Sequence, residues 1–410
     1  SGWITHIERG DFLGHPAGLR WTSEPDSPIR LAVDAVPNTG APMFEAKREV
    51  PQLKLPTVWF PHTVMGISTS AIIEDDTGGG FGPFAGHLLV GDQGHSKLMR
   101  VSLEKVNGAF QGAVFPFYEG FASGILRTTW GADNSLFVGQ TSRGWDATGK
   151  APFALERLVW TGKTPFEMKE VRALADGFEV EFTLPVELAS ALVDSAFSVT
   201  GFTYKYHSTY GSPAINVAEL ETRVADVSDD GLIVRLEVDG LRAGYIHEIR
   251  LGDVRSSAGV PLLHDLAFYT LNSIPGRGDL SAAGASAGSA AAADADDRSG
   301  GRSTHETVMP ATWGGHVDHS VTIATEPGLR FDVTMFQVDT GSRVALTFNN
   351  DDDMLHNLVV TTPDGIEDVV TAAIGLGIRG QELGYVPKAP DVAGEILFHT
   401  SLLTPETEET

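Results

Sequence analysis

Cysteine is absent from all 410 residues. Its absence excludes disulfides, thiolate metal sites and cysteine nucleophiles within this chain, and leaves the compartment open. Lysine is scarce, with 9 of the 29 basic residues. An acid-rich, lysine-poor surface suits salty surroundings, and a genome rich in G and C also favours arginine; both readings stand. No apolar run approaches the roughly 18–20 residues of a membrane span. No signal peptide is visible, so either one was removed or residue 1 is not the biological start. The one Gly-x-Ser-x-Gly match, Gly284 to Gly288, falls in a low-complexity Gly/Ala/Ser stretch with no apolar strand pattern before it, so it does not read as a nucleophile elbow, and no G-x-x-x-x-G-K-[ST] phosphate loop occurs. Positive charge is also lacking. The net charge is −25, and residues 275–410 hold 21 acidic against 7 basic residues, −14 of that total. Such a balance argues against a phosphate backbone as partner, so no nucleic acid is expected.

With 42% hydrophobic residues the chain can bury substantial cores, and its length suits about two to four domains. The stretch that organises it is Arg343 to Thr362. Val344, Leu346 and Phe348 alternate with smaller or polar residues, as in a half-buried strand. Asn349 to Asp353 is a polar turn. Leu358, Val359 and Val360 begin a second strand, and His356-Asn357 lies between.

Upstream, residues 1–50 are rich in Gly and Pro and read as loops, with Trp21 as an anchor. From Val58 to Gly162 the chain repeats. His87-Leu88-Leu89-Val90-Gly91-Asp92 is echoed by Ser135-Leu136-Phe137-Val138-Gly139-Gln140, each followed by a turn and a second strand, Lys97–Leu103 and Leu155–Trp160. The 48-residue offset suggests propeller blades, with Gly91 and Gly139 where strands crowd and a side chain would clash. At that period about 170 residues make roughly three and a half blades, too few to close a ring. Residues 171–274 alternate at Phe178–Thr183, Leu232–Leu236 and Tyr245–Ile249, with a hairpin turn at Asp229-Asp230-Gly231, as in an immunoglobulin-type sandwich. Residues 276–303 are Gly, Ala, Ser and Asp, a flexible linker.

These motifs carry two resemblances. Phe81-Gly82-Pro83-Phe84-Ala85-Gly86, Arg100 to Gly108, Arg143-Gly144-Trp145 and Trp160 to Glu167 resemble the last blades of an exported bacterial β-propeller family, annotated by similarity to sugar and sorbosone dehydrogenases. That resemblance runs from about Trp21 to Pro275 and implies a small sandwich fused behind the propeller. The first blades are then missing or lie on another polypeptide. His356-Asn357 at the head of a strand, with Tyr385-Val386-Pro387 and Leu397-Phe398-His399-Thr400, resembles the azurin and plastocyanin (cupredoxin) family. In that family a later loop supplies Cys, His and Met to copper, whereas this chain runs out at Thr404 to Thr410, one loop too early.

The expected organisation is therefore all-β. Residues 1–170 are partial β-propeller blades, 171–275 an Ig-like β-sandwich, 276–309 a linker, and 310–410 a truncated cupredoxin-like Greek-key domain. The candidate metal residue is His356, with His399 as a neighbour; the alternative for His356 is a ring hydrogen-bonded at the sandwich end. No catalytic residue is named, and copper enters only if a cysteine comes from outside this chain. His305, His316, Asp318 and His319 form a looser group, and Asp351-Asp352-Asp353 reads as a solvated turn. Tyr204, Tyr206, His207 and Tyr210 read as a seam between sandwich and propeller, or else as a binding patch. The expected function is a periplasmic or extracellular accessory subunit of an electron-transfer system, docked to a larger assembly such as a membrane-bound redox complex. The rival is a fragment of a quinone-dependent propeller dehydrogenase that passes electrons to its own copper domain.

Overall fold

The computed structural model describes residues 2–13, 15–16, 24–27, 36–144, 147–208, 212–277, 307–326, 330–352 and 354–410. Strands account for 41% of the chain and helix for 10%, so the all-β expectation holds. No helix among the described residues is long and apolar enough to cross a membrane. The chain divides into two compact units, Ser1–Gly284 and Ala285–Thr410. Trp21, Trp145, Tyr210, His305, Asp353 and most of the linker lie outside the described residues.

In the first unit the strands, in chain order, are β1 Gly2–Ile4, β2 Val58–Phe60, β3 Thr69–Glu74, β4 Leu88–Asp92, β5 Lys97–Val106, β6 Ala109–Glu119, β7 Ile125–Trp130, β8 Leu136–Thr141 and β9 Phe153–Leu158. They continue with β10 Met168–Ala173, β11 Gly177–Phe182, β12 Phe197–Tyr204, β13 Ala214–Leu220, β14 Thr222–Val227, β15 Ile233–Val238, β16 Tyr245–Leu251 and β17 Leu266–Leu271. Helix α1, Met43–Glu49, interrupts the expected N-terminal loops because Met43 and Ala46, three apart, both bury.

An eight-stranded sheet runs β13-β12-β16-β17-β6-β5-β4-β3. A four-stranded sheet, β10-β11-β15-β14, covers part of it, and Phe178, Val180, Phe182, Val234 and Leu236 pack there against Phe115, Val199, Ile249, Leu251 and Tyr269. The third sheet is β7-β8-β9. Its Ile125, Leu136 and Val138 pack on Ala71, Leu89 and Leu98. The Asp229-Asp230-Gly231 turn joins β14 to β15, with Gly231 at φ 69°.

Two features were invisible to periodicity. β17 pairs with β6 through Phe268↔Val114, Tyr269↔Ala113 and Thr270↔Gly112. Strands assigned to the blades and to the sandwich therefore share one sheet, and the 170/171 boundary falls inside β10. The two Val-Gly pairs also differ. A Cβ on Gly91 would stand 2.5 Å from Ile125 Cγ2, as crowding predicts, but one on Gly139 would meet only the Arg127 carbonyl at 3.6 Å. The expected clash at Gly139 is thus corrected: it sits on a face that nothing covers closely.

In the second unit β18 is His319–Glu326, β19 Arg330–Phe331, β20 Val344–Asn350, β21 Val359–Thr361, β22 Ile396–His399 and β23 Thr407–Glu409. One sheet runs β19-β18-β20-β23, with β18 and β20 parallel, and β21 pairs with β22. Ile323, Phe348, Leu358 and Leu403 form its main core. Residues Ile366–Gly375 form a helix that the strand reading did not foresee, started by Glu367 and Asp368 in its first turn and anchored by buried Val369.

Candidate functional site

The His356 loop is organised by Asn350, the last residue of β20, which is fully buried. Its side-chain amide donates to the Met354 carbonyl at 2.7 Å and the Leu403 carbonyl at 3.1 Å. Its side-chain oxygen accepts from the Asp352 N–H at 3.2 Å. His356 then exchanges backbone bonds with Leu403, N–H to carbonyl at 3.1 Å and the reverse at 2.7 Å. Its Nε2 stands 3.1 Å from Asp352 Oδ2, a carboxylate oxygen that accepts from the ring N–H. Asn357 donates to the Gly384 carbonyl at 2.6 Å. His399 lies on β22 opposite Val359, its Nδ1 3.0 Å from the Thr400 carbonyl.

A type 1 copper centre needs a thiolate beside two imidazoles. The residues present do not make that set, because the chain has no cysteine. Among the described residues no group of three or more His, Asp or Glu is placed to hold a metal ion. His316 and Asp318 do meet, Nε2 to Oδ1 at 3.0 Å, and both are exposed. The Arg343 N–H and the His316 contact hold the Asp318 carboxyl below its ordinary range. His319 opens β18 and faces Val344 in register.

Tyr204 and Tyr206 are buried. Tyr204 packs at a tilt against Trp59 and edge-on against Phe202, ring centroids 5.5 and 5.6 Å apart. Tyr206 packs on His15 at 5.0 Å and on the α1 cluster. Burial pushes its hydroxyl up to about 12.

Hydropathy missed two polar constructions in the first unit. Asp92 is wholly buried, and its carboxylate accepts N–H bonds from Ile67, Ser68 and His95 at 3.0, 2.9 and 2.7 Å. Burial nonetheless raises its pKa against those bonds. Beside it, burial holds His62 down to about 4 and His95 down to about 3. Lys97 donates to the Val64 carbonyl at 2.9 Å. The second construction is Arg100 on β5. It lies between the rings of Phe84 and Phe115, 3.9 and 4.1 Å from their centroids. It donates to the Met168 and Lys169 carbonyls at 2.6 Å each and to His87 Nδ1 at 3.0 Å. Burial lowers its pKa to about 9, which leaves it charged at neutral pH. Both constructions brace loops and strands from within.

The outer face of β7-β8-β9 is the opposite case. Phe153 and Leu155 on β9 are 76% and 71% exposed, and Arg127 and Arg157 share that face. Gly139 lies opposite Leu155 and leaves a shallow recess beside it. The sequence signal was present in the alternation Phe153, Leu155, Arg157, but hydropathy assigns the first two to a core.

No family model and no curated protein matches this chain. Among solved structures, the N-terminal part of the bacterial S-layer protein SbsC is similar at 21% identity over 25% of this chain and 23% of that one, with a TM-score of 0.19. The chain thus covers under a quarter of that structure's length, and a likeness of this size carries no argument about fold or function.

Proposed function

We propose that this protein is an exported accessory subunit of a redox system, held in a larger assembly by the first unit and not itself the catalyst. One observation carries the reading: the β7-β8-β9 sheet turns Phe153 and Leu155 outward on a regular strand. Exposed apolar side chains grouped on one sheet face mark an interaction surface more often than a free one. The repeat of β4 in β8 supports blade-like units that pack against neighbours, and the open face is where a neighbour would add. The redox association rests on the cupredoxin-like wording around His356 and on the loop that Asn350 and Asp352 hold in place.

The test is the native mass of the tagged chain recovered from the exported fraction of its host. It should exceed 43.7 kDa, and an oxidoreductase should be identified by mass spectrometry among the co-purifying subunits. The double variant F153D/L155D should shift the chain to lower mass while its circular dichroism stays unchanged. A chain recovered alone at monomer mass, indifferent to the substitution, overturns the reading.

A further inference from the structure

The two edges of the β7-β8-β9 sheet are treated differently. β7 is covered: Ser70 Oγ donates to the Ile125 carbonyl at 2.6 Å and Trp130 Nε1 donates to the Glu74 carbonyl at 2.8 Å, which ties it to β3. Among the described residues β9 pairs with β8 alone. Natural edge strands are usually blunted by bulges, prolines, outward lysines or short length. β9 pairs with β8 over six residues, Leu136↔Leu158 through Thr141↔Phe153, without a register shift, and contains no proline or lysine. Its one acidic residue, Glu156, is drawn inward, accepting from the Ala122 N–H at 2.9 Å and Gln140 Nε2 at 2.7 Å. An edge this regular, flanked by Phe153 and Leu155, is a template for another strand.

We propose that the strand is β9 of a second copy of this chain, paired antiparallel about a two-fold axis at Leu155. The inference rests on the interaction-subunit reading and names the partner at that face. Residues directly opposite in an antiparallel pair share a face, so the outward set Phe153, Leu155 and Arg157 must meet its own kind. With the axis at Leu155, Leu155 faces the partner's Leu155, and Phe153 faces the partner's Arg157, an aromatic–guanidinium pair. Moving the axis one residue forward sets Glu156 against the partner's Glu156, and moving it one back leaves Arg157 without a mate on β9. Of these two-fold registers, each isologous, only the central one pairs Phe153, Leu155 and Arg157 entirely among themselves and keeps Glu156 away from its own mate. Charge favours the same place. Residues 125–163 hold five basic and three acidic residues, +2 in a chain of −25, so two copies meet away from the bulk of their negative charge.

The absence of cysteine makes the register directly testable in the full chain. Under mild oxidation L155C should give a disulfide-linked dimer in high yield. F153C alone should not, and the double variant F153C/R157C should recover the cross-link, because the two positions face each other across the axis. Sedimentation of the unmodified chain at about 50 µM should show twice 43.7 kDa, F153D/L155D should weaken association at least about tenfold, and added salt should strengthen it by screening. A monomer at that concentration, or cross-linking of F153C as readily as L155C, overturns the proposal. A purified chain that stays monomeric and does not cross-link, while F153D/L155D still shrinks the native assembly, also overturns it and leaves the accessory-subunit reading standing with a different partner.

Discussion

β5 and β9 are the strands that follow the two Val-Gly strands β4 and β8, each paired with the one before it, and they are used in opposite ways. β5 begins Lys-Leu-Met-Arg-Val-Ser, and all six of these residues are buried. β9 reads Phe-Ala-Leu-Glu-Arg-Leu and alternates exposed with half-buried positions, the exposed ones including Phe153 and Leu155. Hydropathy ranks the two in the wrong order. Arg100 stays inside because two rings sandwich its guanidinium and two carbonyls of β10 accept its protons. Phe153 stays outside because no layer of the described residues covers that face of its sheet, whereas Ile125, Leu136 and Val138 on the other face are packed. Burial is thus a property of what arrives opposite a strand, and a charged side chain with enough partners can be the better interior residue.

Four measurements sharpen that contrast, from the largest effect to the smallest. Replacing Arg100 by Met leaves the β10 carbonyls without their donors and should cost about 3–5 kcal/mol in urea unfolding; a loss under about 1 kcal/mol would break the claim that Arg100 binds β5 to β10. Gly91→Ala drives a methyl into Ile125 and should cost about 1–3 kcal/mol, since overpacking must displace a β-branched side chain.

The third concerns pH. Burial holds His62 at about 4, His95 at about 3 and His247 at about 3. Unfolded, each takes a proton near 6.5. Between pH 6.5 and 4 the unfolded chain therefore binds protons that the folded chain refuses. Stability is complete above that window and falls as pH drops through it, by up to about 1.4 kcal/mol per pH unit per histidine. Asp92, raised by burial, is protonated sooner folded than unfolded and opposes the loss at the acid end. Both ring nitrogens of His247 are buried, and neither makes a well-formed hydrogen bond among the described residues. His247→Leu should consequently be neutral or stabilising at pH 7 and should flatten the acid limb of a melting-temperature profile; an unchanged limb would remove His247 from the account.

The smallest effect is expected at Gly139. Gly139→Ala meets only ordinary contact and should shift stability by less than about 0.5 kcal/mol. A penalty equal to that of Gly91→Ala would mean the two Val-Gly sites are equivalent after all.

The candidate site was half legible. His356 stood out because a histidine at the head of an apolar strand is conspicuous, and Asp352 lay within the polar turn before it. Asn350 gave no signal, because its value lies in reaching Met354 and Leu403 at once, and Leu403 is 53 residues away. The helix at Ile366–Gly375 shows no alternation, and its sequence signals are Glu367 and Asp368 in the first turn and the helical spacing of Ile366, Val369 and Val370.

What the sequence by itself determined was the all-β character and the position of a minority of the strands, among them β4, β5, β8, β11, β15 and β20, since alternation follows from backbone geometry within five or six residues, and also the impossibility of a thiolate site. Tertiary structure decided the rest. The pairing of β6 with β17 joins segments some 150 residues apart and merges the expected blades and sandwich into one sheet. It also separated Gly91 from Gly139 and buried Arg100 while exposing Phe153. These outcomes depend on which strand edges and faces meet, and the free energy of that meeting is held jointly by residues far apart in the chain, so no local window contains it.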